Sequence, residues 1–249
     1  MENKVKKEFI TLFEKTDKKA VYTILWMTVI SFLYLISIHS FPFFSKIALK
    51  TQLDSWQRGY YRDIYKNFLS FALLFAATAL FSKLVLKRQI KETGLLLKKE
   101  YRRSNIILTF IALAILLYIS FLNVWDAIYR GTHVWSGRIF NLSAGYAALY
   151  YFSCLAFWFG MEYLFRGMGF FNISNRYGPA MAISITTMAS SFTLIAMPGF
   201  ATADALSIIV IAQEIALGYI TYKAKTIYPA FFARFLRILC WDILSALMC

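Results

Sequence analysis

Ionisable side chains inside the apolar runs of this sequence are the residues most able to do chemistry. Glu162 and Arg166 lie four residues apart, a spacing that places them on one face of a helix with the acid before the base. Glu214 lies in a later apolar run, and Arg234 and Arg237 lie in the last one. Because a charge within hydrocarbon is costly, each of these groups indicates an ion pair, a proton acceptor or a binding site.

The elements that must position these groups are membrane-spanning helices. Of the 249 residues, 59% are apolar, which excludes a soluble enzyme, since soluble domains are roughly 45–50% apolar. Each crossing of the hydrocarbon needs about 20 apolar residues. The apolar runs predict an all-α, polytopic transmembrane bundle of about seven spans: Val21–Phe44, Asn67–Leu86, Asn105–Trp125, Ile139–Gly160, Pro179–Met197, Ala203–Tyr222 and Ile227–Met248.

The charge distribution predicts how the chain lies in the membrane. The formal net charge is +14, and the N-terminal tail and even-numbered loops, with Lys83 at the end of the second span counted in, hold 18 Lys and Arg residues against 7 in the odd-numbered loops. By the positive-inside rule, we expect the N-terminus to lie in the cytoplasm. We expect the membrane to be the cell membrane. Basic residues between apolar runs attract anionic lipid head groups, so the bilayer is the expected partner and nucleic acid is not.

Two basic segments leave alternatives open. The first loop, with five basic residues between Lys46 and Lys66, is either a true loop or an interfacial amphipathic segment. The stretch Lys83–Arg103 is either an amphipathic helix on the head groups or a solvated linker. We expect residues 1–20 to form a basic cytoplasmic tail and residues 21–138 to form the N-terminal transmembrane helices with their basic loops.

The stretch 161–167, MEYLFRG, carries a family resemblance. It resembles the Glu-Glu-x-x-Phe-Arg-Gly signature of the CAAX-protease and bacteriocin-processing (CPBP, or Abi) family of intramembrane endopeptidases. Residues 176–183, the pair Ser190-Ser191 and residues 229–233 resemble later segments of that family, in the same order. The resemblance implies a CPBP-like helical core over residues 139–249.

The resemblance also implies a mechanism without a covalent intermediate. In the family, the first Glu and a His on the next helix activate a water molecule, and a second His and an Asn on a later helix hold the oxyanion. Such preorganised donors stabilise charge that appears only in the transition state. The family hydrolyses peptide bonds of membrane-associated or prenylated substrates.

This sequence departs from the family pattern at nearly every working position. Met161 stands in place of the first Glu, and a thioether cannot act as a base. Residues 192–198 contain no His, Arg234 stands where the second His would be, and Ile238 replaces the Asn. Groups that act as one catalytic unit fail together, so we expect an impaired active site.

Glu162 and Arg166 remain as the catalytic remnant, followed by Gly167. One alternative is an active protease in which Glu162 itself is the base. Pairing with Arg166 favours the ionised carboxylate and makes it weakly basic, which disfavours that alternative. Another alternative is a transporter or channel component, but the polar residues are too few to line a path across the bilayer.

Arg234 suggests what replaced the catalytic groups. A guanidinium inside a bundle needs a carboxylate, backbone carbonyls or water. If the last span packs against the end of the fourth, Arg234 approaches Glu162 and an ion-pair network fills the former cavity. Arg237 lies on roughly the same helix face as Arg234 and could join this network. The alternatives are that Arg237 pairs with Glu214 or Asp242, or that its side chain extends towards the membrane interface.

No other catalytic chemistry is supported by the sequence. His39 and His133, the two histidines, lie near the end of a span and in a loop, where we expect surface or head-group roles. No metal site or cofactor site is predicted, because zinc needs about three converging ligands. We therefore expect a binding or scaffolding pseudoprotease whose partner is a membrane-embedded or lipidated peptide.

Overall fold

The computed structural model describes residues 18–39, 55–96, 102–129, 143–197 and 204–248. All regular secondary structure in these ranges is helical, which confirms the all-α prediction. The α-helices are α1 (Lys18–His39), α2 (Ser55–Ser70), α3 (Thr78–Leu84), α4 (Arg102–Tyr129), α5 (Ala144–Glu162), α6 (Phe170–Ile195), α7 (Asp204–Ala224) and α8 (Tyr228–Met248). A first π-helical turn (Phe71–Ala77) joins α2 to α3, and a second (Tyr163–Gly169) joins α5 to α6. The predicted tail up to residue 17 and the loop containing His133 lie outside the described residues.

Three helical segments among the described residues are long and apolar enough to cross a membrane: Lys18–His39, Gly59–Leu84 and Ala144–Ile195. On α1, the apolar side chains of Leu25, Phe32 and Ile36 are more than half exposed. Thr23 and Ser31, which carry polar hydroxyl groups, are buried instead. A helix with this distribution faces a medium less polar than water. These apolar surfaces indicate a membrane protein.

The helix of the predicted fourth span does not end near Gly160. α5 continues through the second π-helical turn into α6, and the backbone leaves the helical conformation only at Gly178, where φ is +82°. The helix continues because apolar side chains such as Phe165 are completely buried there and because Glu162 and Arg166 compensate each other. The charged pair therefore lies inside a long helical segment and not just beyond its end.

The stretch Lys83–Arg103 does not form an amphipathic helix within its described part. After α3 the only helical element before residue 97 is a short 3-10 turn, Ile90–Thr93. Leu86 is completely buried, and the carbonyl oxygen of Gly94 accepts hydrogen bonds from the Thr226 hydroxyl at 2.7 Å and the Ile227 amide at 3.2 Å. This segment is held against the turn between α7 and α8, because its backbone finds hydrogen-bond partners there.

The predicted first loop is partly helical. α2 begins at Ser55, well before the predicted start of the second span at Asn67. Tyr60 is buried, and its hydroxyl donates a hydrogen bond to the carbonyl oxygen of Tyr146 at 2.7 Å. From residue 55 onward the segment is helical and packs on α5.

The second π-helical turn occupies the centre of the bundle, and all of its residues are buried. It contacts α1, α5, α6 and the first π-helical turn. α7 packs against α6, and α8 packs against α4, α5 and α7. This arrangement brings the end of α5, the second π-helical turn, α7 and α8 together around one interior point.

Candidate functional site

Four charged side chains meet at that interior point and form a closed ring. Glu162 is the last residue of α5, Arg166 belongs to the second π-helical turn, Glu214 is on α7 and Arg234 is on α8. Oε1 of Glu162 lies 2.8 Å from Nη1 of Arg166 and 2.6 Å from Nε of Arg234. The carboxylate of Glu214 contacts both arginines, Arg166 through Oε2 and Arg234 through Oε1. We call these four residues the ion-pair ring.

The ion-pair ring is sealed from the surface and has no net charge. Glu162 and Glu214 are completely buried, and Arg166 and Arg234 are each 2% exposed. Each acid contacts both bases, so every charge has two opposite neighbours. Removing one partner from a buried ion pair typically lowers the free energy of unfolding by about 3–5 kcal/mol, because it leaves an uncompensated buried charge.

Neighbouring side chains fix the geometry of the ring. Ser190 of α6 donates a hydrogen bond from Oγ to Oε2 of Glu214 at 2.7 Å. The guanidinium carbon of Arg234 lies 4.5 Å from the centroid of the Trp158 ring, a cation–π contact within α5's buried face. The ring therefore connects α5, α6, α7 and α8 as well as the second π-helical turn.

Small residues allow the π-helical turn to lie this close to its neighbours. A Cβ atom on Gly169 would lie 2.5 Å from Sδ of Met27 and 3.0 Å from the carbonyl oxygen of Leu164. A Cβ atom on Gly167 would lie 3.0 Å from the carbonyl oxygen of Thr93. π-helical turns within α-helices occur frequently at functional sites, and this one carries Arg166.

The other residues singled out from the sequence do not belong to the ion-pair ring. Met161 is 1% exposed and belongs to the apolar core, and the half-buried Ile238 packs against the same core. Arg237 forms no ion pair with any side chain that the structure describes; its guanidinium carbon lies 5.8 Å from the centroid of the Trp158 ring. Asp242 is buried elsewhere on α8.

Sequence reasoning did not assign Glu214 to the ring. From the sequence, Glu214 is a candidate partner for Arg237, whereas the structure pairs it with Arg166 and Arg234. A usable signal was present, because a lone glutamate in an apolar run requires a compensating base. With Glu162 and two arginines already proposed to meet, a second acid was needed for neutrality.

The ring offers little for hydrolysis. One carboxylate oxygen, Oε2 of Glu162, has no hydrogen-bond partner among the described residues, but Glu162 is completely buried. The one histidine in the described part of the chain, His39, is exposed at the end of α1, with Nε2 3.1 Å from the carbonyl oxygen of Ala196. The described residues contain no cluster of His, Cys, Asp and Glu able to hold a metal ion. Within this part of the chain the arrangement is suited to joining helices.

Comparison of the chain with protein-family models, with curated proteins and with solved structures finds no match.

Proposed function

We propose that this protein is a CPBP-type intramembrane pseudoprotease that binds membrane-embedded or lipidated peptides without hydrolysing them. The observation that carries the proposal is the ion-pair ring. It joins Glu162 and Arg166, the remnant of the resembled signature, to Arg234, which stands in the position of the family's second histidine. Glu162 and Arg234 are distant in sequence and adjacent in space, as a shared site requires.

The contacts that the Glu162 and Glu214 carboxylates make with arginines support a loss of catalytic activity. A general base must accept a proton from water, but Oε1 of Glu162 is engaged by two guanidinium groups and both oxygens of Glu214 contact arginines. The position of the first catalytic Glu is held by Met161 in the apolar core.

The seven-span arrangement, with the N-terminus in the cytoplasm, is part of this proposal. Within the described residues, helices overlap each of the seven predicted apolar runs, counting α6 beyond its break at Gly178 as separate. Hydrogen bonds join the loop after α3 to the turn between α7 and α8, so these two connections lie at one end of the bundle. Exposed lysines are found on both, including Lys87 and Lys225, which favours a cytoplasmic location for that end.

A peptide-binding assay tests the proposal. Purified protein in detergent is mixed with a fluorescently labelled prenylated tetrapeptide, and anisotropy reports binding while mass spectrometry reports cleavage. We expect saturable binding that requires the prenyl group and leaves the peptide intact. Absence of binding, or turnover of the peptide, contradicts the proposal.

A second candidate function, proteolysis with Glu162 as the base, is favoured by one observation, the unpartnered Oε2 of that residue. The same assay separates the two functions. If Glu162 is the base, cleavage is present in the natural protein, disappears in Glu162→Gln and persists in Glu92→Gln. Glu92 is a suitable control because it is exposed on the 3-10 turn.

A further inference from the structure

Two arginines on α8 contact one tryptophan, but only one of them is neutralised. The guanidinium carbons of Arg234 and Arg237 lie 4.5 Å and 5.8 Å from the centroid of the Trp158 ring. Arg234 contacts both carboxylates of the ion-pair ring. Among the side chains that the structure describes, no carboxylate lies within 4.0 Å of Arg237 and no acceptor forms a hydrogen bond with it.

Within the described part of the chain, the charge count leaves Arg237 in excess. The ion-pair ring contains two acids and two bases and is neutral. The Glu214 carboxylate attracts Arg237 from a distance, but both of its oxygens are occupied, and Arg234 repels Arg237 as a like charge. A guanidinium has five N–H donors and is always protonated, so the group needs an anion.

The depth of Arg237 limits the kind of anion. It is the tenth of the 21 residues of α8. At about 1.5 Å per residue, it lies about 14 Å from the first residue of the helix and about 17 Å from the last. Phosphates of two-chain lipids lie outside the hydrocarbon core, which is about 30 Å thick. A helix that crosses this core therefore places Arg237 deeper than those phosphates.

The surroundings of Arg237 are apolar and partly open. Arg237 is only partly buried, and so are the apolar side chains in the same turn of α8: Phe235, Leu236, Ile238 and Leu239. They are one or two positions from Arg237, so they lie beside it around the helix and not on its face. Hydrocarbon can lie along their exposed parts while a polar head reaches the guanidinium. The matching ligand has one anionic group attached directly to a long apolar chain.

We propose that Arg237 binds the carboxylate of a long-chain fatty acid whose hydrocarbon lies against α8. The planar guanidinium fork matches a carboxylate through two parallel hydrogen bonds. Contact with the Trp158 ring orients the guanidinium plane, and the ion-pair ring keeps Arg234 from competing for the ligand. This inference depends on α8 crossing the membrane and is independent of whether the protein binds or cleaves peptides.

Quenching of tryptophan fluorescence by a dibrominated stearic acid tests the inference. The protein is reconstituted in nanodiscs of zwitterionic lipid, and the probe is titrated at constant lipid. We expect saturable quenching that is much reduced in Trp158→Phe. We also expect Arg237→Gln to weaken binding about tenfold or more, as loss of a charge-assisted hydrogen bond does, and Arg237→Lys to weaken it less.

Controls separate the fatty acid from other sources of binding. Arg103→Gln removes an exposed arginine at the start of α4 and leaves the affinity unchanged. The methyl ester of the acid does not compete, because it lacks the anionic carboxylate. The inference is overturned if the ester competes as well as the acid, if phosphatidic acid displaces the probe more effectively than oleic acid, or if both Arg237 variants keep the natural affinity.

The two proposals fail separately. If the protein binds the prenylated peptide but not the brominated acid, only the fatty-acid proposal is refuted. If the protein binds the acid through Arg237 but does not bind the peptide, only the proposed peptide-binding function is refuted.

Discussion

Removing Arg234 from the ion-pair ring gives the sharpest test of its structural role. Arg234→Met keeps an unbranched side chain of similar length but leaves two buried carboxylates facing a single arginine, Arg166. The site then carries an uncompensated negative charge at a position that is completely buried. We expect the free energy of unfolding to fall by about 3–5 kcal/mol, the usual result when one member of a buried ion pair is removed.

Replacing the whole ring gives the opposite expectation. Four apolar residues of similar volume at positions 162, 166, 214 and 234 remove the charges together with their desolvation cost. Such replacements range from neutral to stabilising by about 1–4 kcal/mol, so the quadruple variant should be more stable than Arg234→Met despite carrying three further substitutions. Stability that falls with each successive substitution would contradict this explanation.

The assay is reversible unfolding by sodium dodecyl sulfate in mixed micelles, followed by circular dichroism. Arg103→Met is the matched control, since Arg103 is exposed and its loss should change stability by less than about 0.5 kcal/mol. A double-mutant cycle of Glu214→Gln with Arg234→Met should show a coupling of about 0.5–3 kcal/mol. If the single variant loses no more stability than the control, the ring does not hold the helices together.

Three further substitutions or probes check other contacts. Gly94→Ala should destabilise the protein by about 1–3 kcal/mol, because φ is +77° and the new Cβ would lie 2.2 Å from an aromatic carbon; Gly59→Ala, with nothing within 4 Å, is its control in the same unfolding assay. Ser190→Ala removes a hydrogen bond to the ion-pair ring and should cost about 1.5–3 kcal/mol, measured in the same way. Cys154 is buried and Cys240 is only partly buried, so mass spectrometry after brief maleimide treatment should find Cys240 labelled before Cys154; equal labelling of these two would contradict the burial of Cys154.

The ends of the helices show where sequence reasoning stops. Apolar runs located the helices because the need for about 20 apolar residues per crossing is a local property of the chain. The same reasoning ended the fourth span at Gly160, because a glycine followed by Glu162 and Arg166 looks like the membrane surface. The helix continues because those charges are compensated by residues on α7 and α8, far away in sequence.

The stretch after α3 illustrates the same limit. Its alternation of bases and leucines is compatible with a helix on the head groups, but Leu86 is completely buried and Gly94 adopts a left-handed conformation. The backbone there is held by Thr226 and Ile227 of a distant turn. Long-range hydrogen bonds of this kind override a local amphipathic pattern.

The sequence by itself determined that this chain is helical, that it is apolar enough for a membrane, and that Glu162 and Arg166 form a pair, because hydropathy and four-residue spacing act within one helix. Only the tertiary structure decided that Glu214 and Arg234 complete the ring while Arg237 stays outside it. Which charges neutralise each other depends on how α7 and α8 pack against α5 and α6. That packing is set by side-chain shape and by the requirement for neutrality in a buried site, and neither is a property of any single helix.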